Sequence, residues 1–259
     1  MIPIFDSLSH PTLTGKWLNE KSPSTFKNLV DQLKENNFIG ASAVGIYNVE
    51  GYEHKKFMEE CNRYKILFPV AGVDLKKVNL NKEIIKIKSL GYRAIKIHPR
   101  FNHFNFKDHK TLGKIFKLAF ENELIIYFCT YSHTRIENFP IKDPFNVLIK
   151  ALKMAPSLKL ILVHGGDIHL MKYAELVRFN SNLLLDLSLT ILKYRGSSIE
   201  QDIRFLFKNF DKRICIGTDH PEYSHRLLRE TFEDFSHGLS ENKSVNIAHR
   251  NILKFLDII

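Results

Sequence analysis

Hydrophobic and polar positions along this chain follow two periods in turn. Short runs rich in β-branched and aromatic residues recur eight times, at Ile2 to Leu8, Ile39 to Tyr47, Ile66 to Val73, Arg93 to His98, Leu124 to Cys129, Leu158 to His164, Leu183 to Leu187 and Arg213 to Thr218. Several of them, such as Leu124-Ile125-Ile126-Tyr127-Phe128, are continuously apolar, as strands covered on both faces are. Between the runs lie stretches of helical period. Phe26, Leu29, Val30 and Leu33 share one face behind Ser22-Pro23, a start signal of N-cap and first-turn proline. Ile84, Ile85, Ile87 and Leu90 precede Gly91, a C-terminal stop, and Thr111 to Asn122 places Leu112, Ile115, Phe116 and Ala119 on one side.

Eight strands alternating with helices predict an α/β fold, a single (β/α)8 TIM-barrel domain over residues 1–259, with Val245 to Leu256 as an extra C-terminal helix. There is no internal repeat or linker. The longest connection, Ser132 to Pro144, follows the fifth strand, on the side where loops commonly cover a site.

In such a barrel, chemistry sits at the carboxyl ends of the strands. The residues there are Asp6 and His10, then Lys96, His98 and Arg100, then Cys129, His164, Asp186 and Asp219. Lys96, His98 and Arg100 alternate, so they share a face. An inward lysine must be paired, which makes Lys96 a partner for Asp6, Asp186 or a substrate. Arg100, past the strand end, suits a bidentate grip on a carboxylate or phosphate. The remaining histidines, His54, His103, His109, His169, His225, His237 and His249, are read as surface or capping residues.

Composition narrows the setting. At 44% hydrophobic and 25% charged, the 259 residues are those of a chain able to bury a large core. No apolar run approaches the roughly 20 residues of a bilayer span, and Met1 to Pro11 lacks the form of a secretory signal, so the expectation is a cytoplasmic protein with no membrane partner. The three cysteines are odd in number and form no C-x-x-C pair, which argues against a disulfide framework. The net charge of +10 is spread over helical lysines without a nucleic-acid motif, so the expected partner is a small-molecule substrate, an anionic one by preference. Nothing in the sequence speaks to oligomeric state. H-E-x-x-H, G-x-S-x-G, Walker and dinucleotide-binding patterns are all missing.

Four strand-end motifs resemble the amidohydrolase superfamily, in its branch of small barrel hydrolases, decarboxylases and lactonases. They are Ile4-Phe5-Asp6-Ser7-Leu8-Ser9-His10-Pro11, Ile95-Lys96-Ile97-His98-Pro99-Arg100, Ile161-Leu162-Val163-His164-Gly165-Gly166 and Ile216-Gly217-Thr218-Asp219-His220-Pro221, with Asn246 to Leu253 similar to the last helix. The resemblance spans nearly the whole chain. It implies a divalent metal, zinc above others, held by two histidines of a D-x-H-x-H motif, a histidine after the fifth strand and an aspartate after the eighth. Here His10 matches the second histidine and Asp219 the aspartate, but Leu8 stands for the first histidine and Cys129 for that of the fifth strand, with His133 as a substitute. A catalytic zinc takes three protein ligands, and of the set His10, Cys129 and Asp219 only His10 and Asp219 match the pattern outright, so metal-free operation is slightly favoured.

The resemblance further implies that Asp219 accepts a proton from attacking water while His164 polarises a carbonyl, with Lys96, His98 and Arg100 binding the substrate. The leading expectation is a hydrolase of a small anionic or sugar-derived ester, lactone or amide. The alternatives are a decarboxylase of an unsaturated or aromatic acid, and a barrel that binds a small molecule without turning it over.

Overall fold

The computed structural model describes residues 1–18, 23–75, 79–101, 108–140 and 142–259. Ser22 and His103 therefore lie outside the described residues. All eight expected strands form: β1 (Ile4–Ser9), β2 (Phe38–Val44), β3 (Leu67–Gly72), β4 (Ala94–Ile97), β5 (Ile125–Cys129), β6 (Leu160–Val163), β7 (Leu183–Asp186) and β8 (Ile214–Cys215). They pair in parallel in sequence order. The helices are α1 (Phe26–Glu35), α2 (His54–Asn62), α3 (Leu80–Ser89), α4 (His109–Glu121), α5 (Pro144–Leu152), α6 (Leu170–Arg178), α7 (Thr190–Lys193), α8 (Ser198–Asn209), α9 (His225–Ser236), α10 (Glu241–Val245) and α11 (Asn251–Phe255).

Helix α1 buries the expected face of Phe26, Leu29, Val30 and Leu33, but its cap is Thr25, whose hydroxyl accepts from Asn28 N at 3.0 Å. Gly91 at φ +92° stops α3 as expected, while Ile85 points to solvent. The last helix begins earlier than expected, at Glu241, and runs through a π-helical turn at Asn246–Arg250 into α11.

The apolar interior divides as strand alternation requires. One cluster, including Leu29, Ile87, Phe116 and Leu206, fills the layer between strands and helices. The other fills the lumen with Phe5, Leu8, Val44, Ala94, Ile125, Tyr127, Ile161, Leu184 and Cys215, and is continued by Ile252, Leu253 and Leu256 of the last helix and its end. That helix covers the amino-terminal mouth, where Asn251 donates to Ile214 O at 2.8 Å and Arg93 to Leu256 O at 2.6 Å. The carboxyl-terminal mouth stays open to chemistry. Among the described residues, no helix is long and apolar enough to cross a membrane.

β8 is the shortest strand, and the barrel closes beyond it through backbone bonds: Ser7 N to Ile216 O at 3.0 Å, Asp219 N to Leu8 O at 3.0 Å and His10 N to His220 O at 2.8 Å. Gly217 permits this approach. A Cβ there would stand 2.6 Å from Ser7 Oγ and 2.8 Å from both Asp6 Oδ1 and Leu8 N. Gly217→Ala is therefore expected to cost about 1–3 kcal/mol by overpacking the seam. The check is the urea midpoint of unfolding, and an unchanged midpoint would contradict so tight a closure.

Candidate active site at the carboxyl ends of the strands

The seam delivers two of the site's side chains. His10 Nδ1 lies 2.8 Å from Val44 O, and since a carbonyl only accepts, Nδ1 carries a proton and turns Nε2 toward Asp219 Oδ1, 3.3 Å away. The Trp17 ring stacks on His10, parallel to within 6° at 4.9 Å, and its Nε1 donates to Glu222 Oε1 at 2.8 Å. Asp219 sits in the left-handed region at φ +58°, held there by its bond to Leu8 O. Burial pushes its carboxyl up, but His164, His10 and Lys96 outweigh that and hold it well below the usual range.

His164 also has a left-handed backbone, φ +67°, and opens a turn continued by Gly165, Gly166 and Asp167, all at positive φ. Gly166 is needed there, because a Cβ would meet the Tyr173 ring at 2.1 Å. His164 Nδ1 contacts Ser188 O at 3.1 Å, and Thr190 Oγ1 donates to its carbonyl at 2.7 Å. Although burial works against the charged ring, Asp219 and the Cys129 sulfur raise its pKa.

Cys129 is fully buried at the end of β5, and His98 and His164 act on its thiol. Burial alone would raise its thiol; the two imidazoles bring it well below its ordinary value. Burial pushes His98 down to about 4, and its Nδ1 accepts from Phe101 N at 3.3 Å. Lys96 lies beneath, 1% exposed, with no hydrogen-bond partner for Nζ among the described residues. Burial lowers its pKa, while Cys129, Asp219 and Asp186 oppose the shift. Asp6, one partner considered for Lys96, is instead engaged by His225 at 2.9 Å. Asp186 accepts from Ser7 Oγ at 2.5 Å and from Ser188 Oγ.

These groups surround a cavity of about 240 Å³. His10, His98, His164 and Asp219 line it together with the apolar Trp17, Ile46, Phe101 and Leu189, and with Arg100 and Tyr131. Lys96 and Cys129 lie outside that lining. The Arg100 guanidinium stacks 4.5 Å above the Tyr131 ring, and its Nε is buried without a hydrogen-bond partner among the described residues. Lys193 Nζ lies 4.4 Å from the same ring centre and donates to the Tyr131 hydroxyl at 3.1 Å. Asp167 holds Lys193 at 3.5 Å and His133 at 3.4 Å. Trp17, Tyr131, Lys193 and Glu222 escaped the sequence reading; the one signal available was Tyr131's place two residues past the Cys129 strand end.

Two histidines read as surface residues are buried. His225 is fully enclosed between Asp6 and Gln32, and His54 is 6% exposed and paired with Glu83 at 2.8 Å. His54 has hydrogen-bond partners on both nitrogens, Tyr52 and Glu83, so its burial costs little, while His225 lies against the Asp6 carboxylate.

A catalytic zinc needs three converging protein ligands. Among the described residues no three His, Cys, Asp or Glu side chains form a group that could hold a metal ion. Leu8, in the place of the first-strand histidine, packs into the lumen and offers no donor. The donor set therefore does not fit a catalytic zinc.

No protein-family model and no curated protein matches the chain. Solved structures do. An uncharacterised TIM-barrel protein from Bordetella bronchiseptica is 14% identical over 99% of both chains, with a TM-score of 0.79. A 2,6-dihydroxybenzoate decarboxylase from Rhizobium is 11% identical, covering 100% of this chain and 99% of its own, with a TM-score of 0.71. An amidohydrolase from Burkholderia multivorans with bound zinc is 12% identical over 98% and 99%, with a TM-score of 0.66. At these identities the likeness is one of fold, the TIM barrel, shared from end to end.

Two buried imidazoles make the fold acid-sensitive. Burial depresses His98 to about 4 and His220 to about 3, so below the ordinary histidine pKa the unfolded chain binds more protons than the folded one. Stability from these groups is present above pH ~6.5 and is lost as pH falls toward their folded values, about 2 kcal/mol for each at pH 5. Urea unfolding at pH 7.5 and 5 should show the loss, and His220→Phe should recover part of it. A wild-type protein equally stable at both pH values would refute the assignment.

Proposed function

We propose that the chain is a metal-independent hydrolase of the amidohydrolase superfamily, opening a small anionic ester or lactone. The observation that carries this reading is the convergence of the Asp219 carboxylate, His10 and His164 on one cavity that also exposes the stacked Arg100. Asp219 takes the proton of a water as its oxygen attacks the carbonyl carbon. The His164 imidazolium, favoured by Asp219 and Cys129, stabilises the oxyanion. When the tetrahedral intermediate collapses, the C–O bond breaks and the leaving ester oxygen takes the proton that Asp219 accepted from the water, which restores the carboxylate. His10, locked by Val44 O and Trp17, orients Asp219. Arg100 binds the substrate's anionic end, for which its buried Nε has no partner among the described residues. The cavity's 240 Å³ restricts the substrate to a small molecule. The three buried, unpaired cysteines agree with the expected cytoplasmic setting.

The decarboxylase reading draws support from the Rhizobium enzyme's shared fold and from the same acid-binding Arg100. Dihydrocoumarin, coumarin carboxylates and 2,6-dihydroxybenzoate separate the two. Ring opening without carbon dioxide is expected, whereas carbon dioxide from the benzoate would transfer the site to the second reading.

With the turned-over probe, Asp219→Asn should lower kcat by about 10²–10⁴ without unfolding the chain. An active Asp219→Asn protein removes the base from this account. Arg100→Met should raise KM for anionic probes by about tenfold to a hundredfold, leaving kcat within a few fold, the loss of one charge-assisted hydrogen bond. An unchanged KM would move the anion elsewhere. Dialysis against a chelator should leave the rate intact; activity lost on chelation and restored by zinc would overturn metal independence.

A further inference from the structure

His10 and Asp219 come from opposite sides of the barrel's closing seam, yet the proposed chemistry requires them at one fixed separation. One side chain reaches both sides. Asp6 is completely buried, and its Oδ1 accepts from Leu8 N at 3.1 Å on β1 and from Thr218 N at 3.0 Å beyond β8. Its Oδ2 accepts from Ser9 Oγ at 2.7 Å and from Thr218 Oγ1 at 2.5 Å, and lies 2.9 Å from His225 Nε2. Ser9 immediately precedes His10, and Thr218 immediately precedes Asp219. His225, the first residue of α9, contacts Gln32 Oε1 of α1 through its other nitrogen at 3.2 Å. The carboxylate is thereby tied to two helices of the outer ring as well as to the seam.

We infer that Asp6 is the positioning residue of the His10–Asp219 pair, one carboxylate that fixes their spacing by clamping the backbone on both sides of the closure. It touches neither cavity nor substrate. Asp219 needs such a clamp, because a non-glycine residue at φ +58° persists only where its surroundings over-determine it. Burial of the Asp6 carboxyl would raise its pKa; His225 and the Thr218 and Ser9 hydroxyls reverse that and hold it below its ordinary value.

The inference rests on the hydrolase reading for its kinetic consequence but not for its structural one, and the test separates them. Asp6→Ala removes the clamp. Asp6→Asn keeps it without the charge: the amide oxygen still accepts from both backbone N–H groups, and the Ser9 and Thr218 hydroxyls rotate to accept from its NH2. Hydrogen–deuterium exchange of residues 4–10 and 214–221 reads the clamp directly. In Asp6→Ala these amides should exchange about tenfold faster or more, with other strands unchanged. Asp6→Asn should restore protection. With dihydrocoumarin as probe, Asp6→Ala should lower kcat about 100-fold while KM stays near wild type, the cost of a displaced reacting pair, and Asp6→Asn should regain most of the rate.

Unchanged exchange in Asp6→Ala overturns the clamp. So does an Asp6→Asn protein with restored exchange but no recovered rate, since charge rather than backbone position would then be the contribution. If Asp6→Ala fails to fold, Ser9→Ala/Thr218→Val, which removes the two hydroxyl bonds and spares the backbone ones, is expected to loosen the same two peptides, and failure to do so is equally decisive. A wild-type chain that turns over none of the probes ends the hydrolase reading, and exchange alone then decides the clamp.

Discussion

Everything at the mouth of this barrel depends on how its first and last strands meet. β8 has only two residues in regular pairing, so closure falls to irregular backbone bonds among residues 7–10 and 216–220. An irregular join gives up ladder hydrogen bonds, and a buried polar backbone group left unpaired would be costly. Here the accounts balance because Gly217 lets the chains approach within the space of a missing Cβ and because Asp6 collects the remaining N–H groups. The same irregularity throws Asp219 into a left-handed conformation that aims its carboxylate at His10. A regular eighth strand would have carried that residue past the cavity as one more alternating position.

The second constraint is electrostatic. A TIM barrel places its site over a packed, low-dielectric lumen, where an isolated charge is strongly disfavoured. This chain surrounds most of its charges there with opposite or polar groups. The Cys129 sulfur faces two imidazoles, Asp219 faces His10 and His164, and Cys129, Asp219 and Asp186 oppose the lowering that burial imposes on Lys96. In a zinc-centred barrel the metal would supply the positive charge. Under the metal-independent reading proposed above, with Leu8 in place of one donor, that role falls to the His164 imidazolium, whose charge Asp219 and Cys129 favour.

How far the sequence could be read follows from this division. The eight strands and their polar ends were legible, since alternation of apolar runs and helical stretches reports burial on two faces, and burial here is regular. The grouping of His10, His164 and Asp219 was legible through the fold, because strand ends in a barrel must converge. Side-chain pairing across the barrel was not. His225 stands in an ordinary helical stretch, and nothing near it in sequence announces Asp6, which is 219 positions away and in contact only because the barrel closes. The role of Cys129 was open for the same reason: its place in the chain fits a ligand, but its partners, His98 and His164, lie on the two neighbouring strands. Loop residues such as Trp17 and Lys193 carry no periodicity at all, so their share in the cavity emerged only with the backbone's path.

The two ends of the barrel show how the fold allots stability and function. At the amino-terminal mouth the last helix seals the lumen with Ile252, Leu253 and Leu256 and satisfies strand-end carbonyls through Asn251. At the other mouth Lys96 Nζ and Arg100 Nε are left without hydrogen-bond partners among the described residues, a cost that a chain selected for stability alone would have removed by an apolar substitution. Of these two only Arg100 lines the cavity, where the proposed reading gives it an anion, and the sealing of the opposite end lets the barrel bear the cost of both. The proposed preference for a small, negatively charged substrate thus rests on what the scaffold leaves unsatisfied, as much as on what it joins.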